Sequence, residues 1–100
     1  MAINYFSPSE FSLHIAKSAR EKRLSMNLSQ QSLAERSAVS LGVLKKFEHT
    51  GKISLESLLK LALVLEALND FTELFKPVSP MEVRSLDEII KENVRKRGRK

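Results

Sequence analysis

Apolar residues recur three or four positions apart along most of the chain, and four of these runs open on a serine. That pattern predicts short amphipathic helices with side-chain N-caps. Ser7-Pro8-Ser9-Glu10 supplies a cap, a proline at the first helical position and a glutamate three residues after the cap. The helix runs to about Leu24, with Phe11, Ile15, Ala19 and Leu24 facing inward. Ser29 opens a second helix through Arg36, burying Leu33 and Ala34, and Ser37-Ala38-Val39 makes a tight turn. Ser40 caps a third helix that Thr50-Gly51 stops near His49. Ser54 caps a fourth over Leu55 to Leu68, and Asn69-Asp70 starts a fifth that Lys76-Pro77 closes. The expected fold is all-α, a compact five-helix bundle followed by a basic C-terminal tail.

The ends read differently. Met1 to Phe6 is a short arm, or an edge strand for a partner chain. The helices define a domain over residues 1–76, with a linker at 77–84 holding Pro77 and Pro80, and a tail at 85–100. In the tail, Ser85-Leu86-Asp87-Glu88 repeats the capping-box pattern, and Leu86, Ile89, Ile90 and Val94 fall at helical spacing. So short a helix is marginal alone in water, so the segment is expected to order only against a surface.

Composition narrows the chemistry. One hundred residues hold one modest core and leave no room for a barrel or two-domain enzyme. Cysteine is absent, which excludes disulfides, thiolate metal sites and a cysteine nucleophile. His14 and His49 are the only histidines and no carboxylates pair at ligand spacing, so no metal is expected. The serines act as caps, and no nucleophile elbow or glycine-rich phosphate loop occurs, so neither enzyme activity nor a cofactor is expected. The longest apolar-rich run, Leu58 to Leu68, is broken by Lys60 and Glu66 and falls short of the roughly 18 residues of a membrane span. With no secretory leader visible either, a cytoplasmic protein is expected.

Charge then changes the picture. Seventeen basic against twelve acidic residues give +5, unevenly placed. Lys17 to Lys52 carries eight bases and three acids, Ile53 to Lys76 two bases and four acids, and Arg95 to Lys100 five bases and no acid. A basic first half and a basic tip fit a polyanion, while a solvated surface of mixed sign is the plain alternative.

Leu28 to Glu48 decides between them. Two helices this short, joined by three residues, must cross steeply. Ala34 is small enough for the crossing, and Leu33, Val39, Leu44 and Phe47 form the wedge. This is the pattern of a helix-turn-helix, whose second helix enters a DNA major groove. On a helical wheel Phe47 and Glu48 share the side of Leu44, while Gly42, Lys46 and His49 lie opposite with Lys45 beside them. The predicted DNA-binding set is Gln30, Ser40, Leu41, Gly42, Val43, Lys45, Lys46, His49 and Lys52. Leu41 at the tip suits a thymine methyl, Gly42 lets backbone approach bases, and Gln30 and Ser40 at helix N-termini suit phosphates. Glu48, facing inward, needs a partner, and Arg23 supplies a two-pronged structural ion pair; the alternative leaves Glu48 in solvent.

Arg23-x4-Leu28-Ser29-Gln30, Leu33-Ala34-Glu35-Arg36-Ser37, Val39-Ser40, Leu44, Phe47-Glu48 and Ile53-Ser54-Leu55-Glu56-x-Leu58-Leu59-Lys60-Leu61-Ala62 make Ile15 to Phe75 resemble the Cro/CI-type (XRE) helix-turn-helix repressors. The resemblance implies a lambda-repressor-like DNA-binding domain, a palindromic double-stranded operator and a prokaryotic, nucleoid-associated protein. Ala38 departs from it, standing where glycine is usual; a positive φ there should cost alanine about 1 kcal/mol. Ser40 to Glu56, Asp70-Phe71-x2-Leu74-Phe75 and the tail from Arg84 more narrowly resemble the HipB-like antitoxins, which implies an autorepressor that also binds a HipA-like kinase toxin. A stand-alone phage-type or chromosomal repressor is the alternative.

The fourth helix carries more apolar surface than one core covers. Leu55, Leu58, Ala62 and Leu65 form one stripe, and Leu61, Val64 and Leu68 an adjoining one expected as a homodimer interface. Alternatively the fifth helix covers it with Phe71, Leu74 and Phe75. Arg95, Lys96, Arg97, Arg99 and Lys100 form a possible DNA- or partner-binding tail. The readings open for it are an AT-hook lacking its usual proline, loose phosphate contacts, a solubilising tip, or docking of its apolar residues on a partner protein.

Overall fold

In the computed structural model, which describes residues 7–78, every regular element among those residues is helical. α1 spans Pro8–Ser25, α2 Gln30–Ser37, α3 Leu41–Thr50 and α4 Leu55–Val64, and a 3₁₀ helix, Leu68–Glu73, follows. The arm at 1–6 and the tail at 85–100, with its five basic candidates, lie outside the described residues.

Serines set the starts. Ser7 Oγ accepts the Glu10 N–H at 3.1 Å and the Glu10 carboxylate accepts the Ser7 N–H at 2.9 Å, closing the capping box. Ser29, Ser40 and Ser54 accept from Ser32, Val43 and Ser57 at 3.0, 3.1 and 3.1 Å. Each satisfies a first-turn amide, worth about 1 kcal/mol.

Left-handed residues set the ends. Asn27, at φ 59°, closes α1 with its own N–H on Leu24 O at 3.0 Å and the Leu28 N–H on Arg23 O at 3.1 Å. Ala38 closes α2 at φ 62° and Gly51 closes α3 at φ 80°. α4 ends at Val64, short of the predicted Leu68, because Glu66 at φ 60° makes the same kind of turn. Its N–H reaches Leu63 O at 3.2 Å and the Ala67 N–H reaches Ala62 O at 2.8 Å. The fifth element is therefore a 3₁₀ helix beginning at Leu68 rather than an α-helix from Asn69.

α1 packs on α3, α2 on both α3 and α4, and the 3₁₀ helix on α4. The shared core includes Ala16 of α1, Leu33 and Ala34 of α2, Leu44 and Phe47 of α3, Leu61 of α4 and Leu65 just after it. Leu24 is exposed instead of facing inward. The inward stripe of α1 runs through buried Ala16, half-buried Ala19 and buried Arg23, and the next residue after Arg23 points about 100° away. Gly51 brings backbone against backbone: a Cβ there would lie 2.8 Å from the Ser12 carbonyl carbon of α1.

Candidate nucleic-acid interface

α3 is held by its inner side. Leu44 and Phe47 are fully buried, and Glu48 turns inward beside them. Arg23 Nε donates to Glu48 Oε2 at 2.8 Å and Nη2 donates to Oε1 at 3.1 Å, the two-pronged pair expected of these residues. Arg23 Nη1 also donates to Leu28 O at 2.8 Å, and Gln30 Nε2 donates to Glu48 Oε1 at 2.9 Å. The paired side chains are 6% and 5% exposed, so this is a buried charge pair, and both partners make a further hydrogen bond beyond it. It joins the C-terminal end of α1, the start of α2 and the last turns of α3. The solvent-facing alternative for Glu48 does not occur.

The pair also sets the sign of the outer side. Glu48 is the one acid in α3, and its charge is neutralised inside. Gly42, Val43, Lys45, Lys46 and His49 are exposed on the same helix, with Ser40 and Lys52 exposed at its two ends. A Cβ at Gly42 would meet nothing within 4 Å. Two predicted residues are partly committed elsewhere. Leu41 is half-buried and packs on the core, so it is not a free apolar tip, because the first turn of α3 leans onto the wedge. Gln30 is half-buried with its amide nitrogen on Glu48, which leaves its second N–H for a phosphate.

The turn between α2 and α3 is fixed by a residue that sequence reasoning missed. Buried Ser37 donates its hydroxyl to Ala34 O at 3.3 Å and accepts the Val39 N–H at 3.3 Å. Val39 is thereby held down into the wedge with Leu33, Leu44 and Phe47, all buried. Nothing in the sequence separates Ser37 from the other serines except its place before Ala38.

The expected dimer stripe is corrected. Leu61 is 1% exposed and belongs to the core of its own chain, and Val64 packs half-buried against that core. Leu68 remains exposed, and the outer side of α4 shows Leu55 and Leu63 at 65% and 64% instead. Seven of the ten residues of α4 are apolar, so the pattern alone could not centre its buried face.

Among the described residues no three His, Asp or Glu side chains gather as metal ligands, and no helix is long and apolar enough to cross a membrane. No protein-family model, curated protein or solved structure matches the chain.

Proposed function

We propose that this chain is a sequence-specific, double-stranded-DNA-binding repressor, acting as a homodimer on a palindromic operator with α3 as its recognition helix. The observation that carries the reading is the division of α3: Leu44, Phe47 and Glu48 anchor it, and an acid-free face of Gly42, Lys45, Lys46 and His49 is presented outward. A major groove about 12 Å wide admits such a helix. Lys45 and Lys46 then donate to guanine acceptors, Val43 meets thymine methyls, and bare backbone at Gly42 lies close to base edges. Ser40, His49, Lys52 and the spare amide hydrogen of Gln30 grip phosphates on either side. Together Arg23–Glu48 and Ser37 hold α3 in one orientation, which sequence readout requires.

Dimerisation rests on the apolar side chains left outside the core, Leu63, Leu68, Leu74 and Phe75, and would set two α3 helices one DNA turn, about 34 Å, apart. The HipB-like resemblance adds a second binding role, capture of a HipA-like kinase toxin, for which exposed Leu55 and Phe75 offer surface.

Binding-site selection from random duplexes, followed by anisotropy titration, tests the reading. The native chain should select a palindrome, and its affinity should fall steeply with salt. Lys46→Ala should lose about 1–3 kcal/mol on the selected site and little on random DNA. Failure to enrich any sequence, with salt-indifferent affinity, overturns the proposal.

A further inference from the structure

Between α1 and α4 lies an open groove of about 510 Å³. Its apolar lining includes Ile15 and Ala19 from α1, Leu58, Ala62 and Leu65 from α4 and the turn after it, and Phe71 from the 3₁₀ helix. Four of these (Ile15, Ala19, Leu58 and Phe71) stay half-buried although they adjoin the core, so the domain leaves this face without a full cover. Lys22 lies on the α1 side, and Glu66 and Asp70 on the side following α4.

We propose that the chain covers this groove itself, with residues Val83 to Val94 docked along it as an amphipathic helix. On a helical wheel Val83, Leu86, Ile89, Ile90 and Val94 share one face about 140° wide, and no charged residue of the segment falls within it. Asp87 and Lys91 follow the face on one side and Ser85 and Glu92 on the other, with Glu88 and Arg95 opposite it, so charge does not choose a direction of docking.

Reach agrees. Val78, the last described residue, follows Phe71 of the groove by seven positions. The four residues 79–82 span up to about 14 Å. The segment as a helix is about 18 Å long, against about 15 Å for α4. A helix this short is marginal by itself, and the groove supplies the missing apolar contact. The linker selects the chain's own segment over a second copy, because a short tether gives an effective concentration on the order of millimolar. Lys45 and Lys46 do not line the groove, so docking leaves the cationic face of α3 uncovered.

The absence of cysteine makes the test clean. A nitroxide on Ser85→Cys in the full-length chain, beside the apolar face, should broaden the amide signals of Ser18, Ala19 and Ala62 and spare Lys45 and Lys46. Adding Ile89→Asp with Ile90→Asp, outside the described domain, should lower the docked-to-free ratio at least about tenfold and restore those signals. Unbroadened groove amides overturn the proposal, as does broadening that survives the double substitution. Mixing labelled chain with isotope-enriched unlabelled chain gives the last arm: broadening of the unlabelled chain means a second copy fills the groove, which also overturns it. DNA binding plays no part in any arm.

Discussion

Replacing Gly42 with alanine sets fold and DNA binding against each other. Gly42 is the second residue of α3, exposed, and a methyl group there meets no atom of the protein within 4 Å. Glycine inside a helix costs about 0.8–1.0 kcal/mol relative to alanine, and about half of that applies in a first turn where fewer dihedrals are fixed by bonds. Gly42→Ala should therefore stabilise the free protein by about 0.5 kcal/mol, raising Tm by about 2–4 °C for a domain of this size. On an operator bound as proposed the sign should reverse, because the added methyl would stand on the face turned to the base edges and hold α3 away from them. Losing one good base contact costs about 1–3 kcal/mol, or about 5- to 150-fold in Kd. Thermal unfolding followed by circular dichroism, with anisotropy titration on the selected operator, reads both quantities from one preparation. An alanine variant that binds the operator as tightly as the native chain would refute the placement of Gly42 at the bases. A variant with lowered Tm would refute the claim that nothing inside the protein needs this glycine.

Removing one member of the buried ion pair should be severe. Glu48→Ala leaves the Arg23 guanidinium buried without its counter-charge, at about 3–5 kcal/mol in urea unfolding, while Arg23→Met with Glu48→Leu should cost less than either single change. The left-handed positions should respond in opposite directions. Ala38→Gly relieves strain at φ 62° and should gain about 0.5–1 kcal/mol, whereas Gly51→Ala drives a methyl into the Ser12 backbone and should lower Tm by 10 °C or so, equivalent to about 2 kcal/mol. On α4, Leu61→Asp should unfold the monomer, and Leu63→Asp should keep its circular dichroism while lowering the mass seen in sedimentation.

These outcomes follow the line between what was legible in the sequence and what was not. The helix starts were legible because an N-cap is local: a serine at 7, 29, 40 or 54 needs only the amide three residues on. The Arg23–Glu48 pair, though 25 positions apart, was legible too, since an inward-facing carboxylate demands a cation and the wheel fixed which way Glu48 faces. The end of α4 was not, because a glutamate in the left-handed region carries no sign of it in the sequence. Nor was the buried face of α4. A wheel finds the core where apolar and polar residues divide, and α4 divides them poorly.

That poor division has its own meaning. Leu61, Ala62 and Leu65 suffice to fill the core side of α4 and the turn after it, yet Leu55 and Leu63 are kept on the outside, where each exposes about two-thirds of its surface. Phe75 is fully exposed and held at φ 59°, a conformation costly for a large side chain and of no use to a core it does not touch. Apolar groups this exposed add little to the stability of the monomer, and an exposed apolar patch is a candidate contact surface. The repressor reading needs such a surface to pair two α3 helices. Leu63 and Phe75, rather than Leu61, are therefore the residues at which association and folding can be separated.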